Sequence, residues 1–387
     1  MNAQTPLGAK TIDAYQNKLA MKPTEASNAG MPDLDESAGK TSFFEFWPFW
    51  AFYTPIILYI LWLGIRYRGP TLMTASNPAI PMSGFVGESK VDVLDAVKGD
   101  ARRWISPYTG VDRVEHDSET LSAALSAMAA NDLAFPIVAK PDLGMRGVGV
   151  QVAKSPDDLK AYIAGYPVGA RFVLQKLVDA EGEVGVFYVR MPGEKRGTVT
   201  GLTLKYFPKV VGDGDTTLGD LVAKEPRAGQ LAHIYQERHK NRWNSVIPKD
   251  ETVRLAFAGS HSRGCIFRNG NAYITDALAR RMDEIADAMG EFYVGRLDLR
   301  FADFDALLAG NGFRIIEING AGGENTHIWD SRTTLFQAWR VLFRQYRYLW
   351  QIGQKNRRRG FKPASVWALR DAWLTELRLT RHYPHTH

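Results

Sequence analysis

Cysteine is nearly absent: the chain has one, Cys265, in 387 residues. A single thiol excludes an internal disulfide and any zinc site built from a cysteine cluster. The chemistry therefore belongs to a reducing compartment or is indifferent to redox state. Internal repeats are missing as well. The first 42 residues show no sustained period of 2 or 3.6 and are polar, with scattered Gly, Pro, Ala and Asp. They predict a mostly disordered tail over residues 1–42, with a short helix near 12–20.

Charge is absent altogether from residues 46–65, which run Phe-Trp-Pro-Phe-Trp-Ala-Phe-Tyr-Thr-Pro-Ile-Ile-Leu-Tyr-Ile-Leu-Trp-Leu-Gly-Ile. A membrane-spanning helix needs ~20 apolar residues, and this run just reaches that length. It starts too far along the chain, and without a basic leader, to read as a cleavable signal peptide. Two readings of the segment 43–68 stay open. One is a transmembrane helix with Arg66 and Arg68 on its cytoplasmic side, which would put the bulk of the chain in the cytoplasm. The other is a monotopic segment lying in the interface, favoured by Pro48, Pro55 and the spread of Trp47, Trp50, Tyr53, Tyr59 and Trp62.

What is present beyond that point is globular in pattern. Residues 69–84 are a Pro/Gly/Ser/Asn-rich linker, and 69–131 leave room only for a reduced N-terminal subdomain. From 132 to 330, short apolar strands alternate with helical stretches, which predicts an α+β or α/β domain. The net charge of +6 is mild but uneven. Much of the excess falls in residues 331–387, in Arg340, Arg344, Arg347, Lys355 and Arg357-Arg358-Arg359. There Leu335, Trp339, Leu342, Tyr346, Leu349 and Trp350 recur at spacings of three and four, the mark of an amphipathic helix. Such a helix packs on the domain or lies on an anionic membrane surface. The interleaved aromatics favour the membrane over nucleic acid as a partner.

Four segments could carry chemistry. In Phe135-Pro-Ile-Val-Ala-Lys140-Pro-Asp-Leu-Gly144-Met-Arg146-Gly147-Val-Gly149, a strand delivers a lysine and a glycine-rich loop follows, able to turn backbone N–H groups toward phosphate. In Phe172-Val-Leu-Gln175-Lys176-Leu-Val178-Asp-Ala-Glu181-Gly-Glu183, a strand runs into an acidic connector. In Lys205-Tyr-Phe-Pro-Lys209-Val-Val-Gly-Asp-Gly-Asp-Thr216-Thr217-Leu218, a turn leads to a helix N-cap that could hold an anion. The fourth is a pair of alternating strands. One puts Arg296, Asp298 and Arg300 on a single face and the other does so for Glu317 and Asn319. Asp298, Glu317 and Asn319 are oxygen donors suited to Mg²⁺, which keeps few protein ligands and takes the rest from phosphate and water. Each segment alone reads equally as an ordinary hairpin, loop or polar sheet face.

In this order, over about residues 85–326, the four segments resemble the ATP-grasp superfamily. They look closest to the D-alanine–D-alanine ligase, glutathione synthetase and cyanophycin synthetase branches. The resemblance implies an ATP-grasp fold, with two α+β subdomains clasping ATP. It implies that Lys90, Lys140, Gly144, Arg146 and Gly147 bind ATP phosphates, that Gln175, Lys176 and Val178 line the adenine pocket, and that Glu183 holds the ribose. Asp298, Glu317 and Asn319 would bind Mg²⁺. Arg296, Arg300 and Lys205 would be the catalytic cations, and Glu324 and His327 would contact the acceptor. Gln175 stands where relatives carry an acid, and residues 85–131 are too few for the open-sheet domain that many relatives use for the acceptor.

The activity implied is ligation of a carboxylate and an amine through an acyl phosphate, with ADP and phosphate released. The apolar run and the basic aromatic tail add the expectation of a membrane-associated enzyme, one substrate being a lipid. An ATP-grasp kinase acting on a hydroxyl and a non-catalytic nucleotide-binding membrane scaffold are the alternatives.

Overall fold

The computed structural model describes residues 29–144, 147–384 and 386. The helix expected near 12–20 and Arg146 lie outside them. Two antiparallel sheets form the body. The smaller runs β1 (Tyr108–Asp112), β4 (Arg171–Lys176), β2 (Ile137–Pro141), β3 (Gln151–Ala153). The larger runs β11 (Phe313–Asn319), β10 (Val294–Phe301), β5 (Gly182–Val189), β6 (Thr198–Tyr206), β9 (Ile266–Asn269). A two-stranded ribbon, β7 (Lys209–Val211) with β8 (Thr252–Arg254), lies to one side. Every pair within the sheets is antiparallel, so the fold is α+β.

Helices cover the outer faces. Before the sheets come α1 (Phe49–Arg66) and α2 (Lys90–Ala96). Helices α3 (Asp117–Ala130) and α4 (Pro156–Ala164) pack Ala124, Met128, Leu159 and Ile163 against Ile137, Ala139, Phe172 and Leu174 of the small sheet. Three short helices follow, α5 (Leu218–Lys224), α6 (Pro226–Gln230) and α7 (Ala232–Arg238). Helix α8 (Asp276–Met289), capped by the Thr275 hydroxyl, lays Leu278, Met282, Ile285 and Met289 on the large sheet. A short α9 (Phe304–Leu308) precedes β11. The chain closes with α10 (Leu335–Arg358) and α11 (Val366–Thr380).

Alternation places the large sheet's two faces. Leu297, Leu299 and Phe301 of β10 join Val184 and Val186 of β5 and Leu202 and Leu204 of β6 in the core under α8. The intervening residues of those strands, Arg296, Asp298, Arg300, Glu183 and Lys205, therefore face the other way.

Three segments differ from what their composition suggests. Residues 29–42 are packed rather than disordered: Met31 enters the main core, Tyr206 donates to the Pro32 carbonyl at 2.9 Å, and Arg268 donates to the carbonyls of Asp35 and Gly39. Residues 71–77 of the expected linker are buried. Asn77 explains how: its amide donates to the Val294 carbonyl at 2.7 Å and accepts from the N–H groups of Tyr293 and Val294, so a polar strap is satisfied inside the protein. Residues 108–131 supply β1 and α3 to the small sheet instead of a separate N-terminal subdomain.

The apolar face of α10 is also spent inside the protein. Leu342, Leu349, Trp350 and Ile352 are buried, largely against α1 and residues 69–77, which leaves Arg340, Arg344 and Arg347 exposed. Helix α1 buries Phe52, Ile56 and Leu63 on that neighbour, and its other side exposes Trp50, Leu58, Leu61, Trp62 and Ile65. The Trp339 indole donates to the Phe52 carbonyl at 3.0 Å, in the turn that Pro55 loosens.

Candidate active site

The charged face of the large sheet is a network fixed by strand register. Asp298 pairs with Glu317 on one side and Gly185 on the other, Arg300 lies opposite Glu183, and Glu183 lies opposite Lys205. Gly185 keeps the centre open: a Cβ there would sit 3.1 Å from Arg296 Cδ and from Asp298 Oδ1. Lys205 Nζ lies 2.9 Å from Asp298 Oδ1 and 3.0 Å from Glu183 Oε1. Arg296 holds Asp298 with two bonds, Nε to Oδ1 at 3.0 Å and Nη2 to Oδ2 at 3.1 Å. Arg300 Nε reaches Glu183 Oε2 at 3.0 Å.

Burial pushes Asp298 and Glu183 up, but Arg296 and Lys205 beside the first, and Lys205 and Arg300 beside the second, outweigh it and hold both below their ordinary values. Burial pulls Lys205 down, and the two carboxylates more than reverse that. The interior pairs survive because each charge has its partners in hand.

A second cation set lies across the cleft. The Lys140 ammonium donates to Gln175 Oε1 at 2.8 Å and to the Ile316 carbonyl at 2.9 Å. Ile316 is the residue that β11 carries in excess: the register steps from Asp298↔Glu317 to Leu299↔Ile315, a bulge that frees a carbonyl for the lysine. Burial drags Lys140 down to about 8 from its ordinary 10.5, although Glu317 pulls the other way. Lys90 donates to the Gly144 carbonyl at 2.7 Å and stands 3.7 Å from Glu317. Beside it Glu88, missed in the sequence, accepts from the Gly320 N–H at 3.1 Å, and burial pushes its carboxyl up to about 8. The only sequence signal for it was its place two residues before Lys90.

Most of these groups line one cavity of about 590 Å³. Its walls include Lys140, Gln175, Lys176, Val178 and Glu183 at one end and Lys205, Arg296, Asp298, Arg300, Glu317 and Asn319 in the middle. Gly147 also lines it, while Lys90 and Gly144 border a smaller recess behind Glu317. The far end is apolar and is built by Phe49, Phe52, Tyr53, Ile56, Ile57 and Ile60 of α1 with Tyr346 of α10. Neither helix was expected to reach the site, because periodicity marks an apolar face without saying what it covers. Glu324 stands at the junction. Its carboxylate accepts from the Tyr53 hydroxyl at 2.8 Å and from the Trp329 indole at 3.0 Å, and its carbonyl accepts from Arg296 at 3.1 Å.

Two sequence candidates lie elsewhere. His327 is buried outside the cavity, its ring 2.6 Å from Asn325 Oδ1 and packed beneath Gly201. Burial lowers it to about 4. The capped turn before α5 is also outside. Its Thr217 hydroxyl accepts from the Asp220 N–H, and Asp213 accepts from its own loop.

Asp298, Glu317 and Asn319 bring oxygen donors to one rim, with Asn319 Nδ2 3.4 Å from Asp298 Oδ2. Among the described residues, no three or more His, Cys, Asp or Glu side chains gather as a metal site. A cation held at this rim would have to take most of its shell from phosphate and water.

No protein-family description matches this chain, and no curated protein does. Solved structures do. A bifunctional glutathione synthetase from Pasteurella multocida is 18% identical over 66% of this chain, with a TM-score of 0.33. This chain spans only 36% of that protein's length. A D-cycloserine synthetase is 14% identical over 77% of this chain and 81% of its own, with a TM-score of 0.39. The VanG D-Ala:D-Ser ligase from Enterococcus faecalis is 12% identical over 69% and 64%, with a TM-score of 0.38. Two antiparallel sheets close on one cleft, the smaller presenting Lys140 and the larger Lys205, and with the helices packed on them they give this chain an α+β fold.

Proposed function

We propose that the chain is a membrane-associated, ATP-dependent carboxylate–amine ligase. The observation that carries this reading is the single cavity joining a strand end, two opposed cation sets, a carboxylate–amide rim and an apolar chamber. ATP lies with its base against Lys176 and Val178 and its phosphates between Lys140 and Lys205. Lys140 is well placed for that work because it is buried and its ammonium, lowered toward 8, gains most from an arriving anion. Asp298, Glu317 and Asn319 would hold Mg²⁺, which would supply further charge neutralisation.

The substrate carboxylate then attacks the γ-phosphorus, the bond to ADP breaks, and an acyl phosphate forms. Arg296 faces that group, its geometry fixed in advance by Asp298, so little reorganisation is needed as charge builds. Attack by the amine gives the amide and releases phosphate.

Attachment to a membrane is supported by the exposed side of α1. The helix is 18 residues long, about 27 Å at 1.5 Å per residue, and one row of its apolar residues is unused by the protein. Lying on the bilayer suits it better than crossing, because both ends are tied to the same body. Just before it, Glu45 is ion-paired with the buried Arg227 at 2.5 Å, and just after it Arg357 donates to the Tyr67 and Arg68 carbonyls at 3.0 Å. The test is an ADP-release screen of the purified protein in detergent, with lipid extracts crossed against a panel of amino acids. Release that needs both ATP and a lipid fraction supports the reading; turnover of water-soluble pairs alone, with no gain from lipid, goes against the membrane part of it.

A further inference from the structure

A ligase for two water-soluble substrates has no use for an apolar chamber at its reaction centre. Phe49, Tyr53, Ile57 and Ile60 line the chamber from α1. Phe49 and Ile57 are also 61% and 41% exposed, so the chamber wall continues to the outer surface. That surface is the one proposed above to meet the bilayer. The chamber is therefore open sideways, toward lipid, and closed at its inner end by the polar centre.

What stands at the inner end decides the head group. It is Glu324, pinned between Tyr53 of α1 and the Trp329 ring. Its backbone carbonyl takes one Arg296 donor while other Arg296 donors hold Asp298. A fixed carboxylate at the neck of an apolar chamber attracts an ammonium and repels a carboxylate or phosphate head. The lysines, which would favour an anion, lie beyond it on the side assigned to the nucleotide.

Resting on the ligase reading, we infer that the amine substrate is an amphiphile: a primary amine attached to a long apolar chain, its ammonium on Glu324 and its chain along α1 toward the membrane. The carboxylate partner then enters from the polar side. In the second half-reaction the ammonium passes one proton through Glu324 to solvent. The free amine attacks the carbonyl carbon of the acyl phosphate, the C–N bond forms and the C–O bond to phosphorus breaks. Inorganic phosphate leaves with the second proton.

The test uses the full chain in detergent micelles with two photoactivatable probes, a diazirine-bearing dodecylamine and the matching dodecanoic acid, and maps adducts by peptide mass spectrometry. Stabilisation by ATP and Mg²⁺ in a thermal melt is measured in parallel for every variant. Amine labelling on α1 and Tyr346 that exceeds acid labelling, and that falls roughly tenfold or more in Glu324→Gln, supports the inference. Tyr53→Phe, which keeps the wall and frees Glu324 from one donor, should also reduce labelling. Equal or stronger labelling by the acid, no labelling of α1, or no loss in Glu324→Gln while ATP still stabilises the variant overturns it. Absence of any ATP stabilisation in the wild-type chain instead sinks the ligase reading on which it rests.

Discussion

Lys205 and Asp298 meet at 2.9 Å inside the large sheet, one on β6 and one on β10, with Glu183 and Arg296 completing the network around them. Neither strand neighbours the other in the sheet; β5 lies between, with Gly185 where a side chain would intrude. The pair spans that gap and joins the proposed phosphate-binding cation to the carboxylate of the proposed metal rim.

Breaking it should be costly in two measurable ways. Asp298→Asn leaves Lys205 and Arg296 buried with their main counter-charge removed, and a broken buried pair costs about 3–5 kcal/mol. We expect the urea midpoint to fall at unchanged slope, and ATP-dependent ADP release to be lost. A midpoint within error of wild type would show that the network is not a source of stability.

On the proposed reading, Lys140 should set a pH limit on nucleotide binding. Its folded value is lowered to about 8 from 10.5, so above pH 8 the free enzyme presents a neutral amine and ATP must draw a proton in. Affinity for ATP should weaken as pH rises from 8 to 10, with proton uptake visible by calorimetry in buffers of different ionisation enthalpy. Lys140→Met should bind weakly at every pH and lose the slope. The stability of the ligand-free protein goes the other way. The unfolded chain holds the proton that the folded one has released, so this residue's contribution rises with pH between 8 and 10.5.

How much of this was legible beforehand depended on what kind of signal each residue gave. Alternation placed Leu297 and Leu299 in the core and Arg296, Asp298 and Arg300 opposite, because a strand's side chains have no other choice. The extra residue Ile316 left no such trace, since a bulge breaks the period it would be read from. Composition marked residues 69–84 as turn-forming but said nothing about burial, which Asn77 makes possible through three hydrogen bonds to the backbone of Tyr293 and Val294. The apolar run was plain, whereas its second use as a wall of the cavity came only from packing on α10. His327 looked functional by its place after Asn319, and the fold turns it inward.

His327 should therefore matter for folding alone. Burial lowers it to about 4 from 6.5. As pH falls through that window the unfolded chain takes a proton that the folded one refuses, and stability is lost. His327→Gln should flatten the melting temperature between pH 6.5 and 4 and leave ADP release at pH 7.5 unchanged. A large loss of turnover with normal folding would return the residue to the active site.

Tyr383 and Thr386 touch three glycines of the glycine-rich segment, Gly144, Gly147 and Gly149. Thr386 accepts from the Gly149 N–H at 3.0 Å and donates to the Gly147 carbonyl at 2.8 Å, and the Tyr383 side chain lies against Gly144 and Gly149. Removing both contacts with Tyr383→Ala and Thr386→Ala should loosen the loop. We expect a KM for ATP raised by roughly tenfold, the effect of losing about 1.4 kcal/mol, with the melting temperature little changed. An unaltered KM would show that the contact is passive.

Membrane attachment is read most simply by flotation with anionic liposomes. Replacing Leu58, Leu61 and Trp62, all on the exposed side of α1, with serine should leave the protein folded and in the unfloated fraction. Flotation at the wild-type level would remove α1 from the attachment.

The central claim, transfer of phosphate from ATP to a carboxylate, is tested most directly by running the reaction in water enriched in oxygen-18 with lipid extract and amino acids present. A ligase takes the fourth phosphate oxygen from the carboxylate. The account predicts ADP and inorganic phosphate in equal amounts, dependent on the extract, with no oxygen-18 in the phosphate. Label in the phosphate would mean attack by water, and ADP without phosphate would mean transfer to a hydroxyl; either result contradicts it.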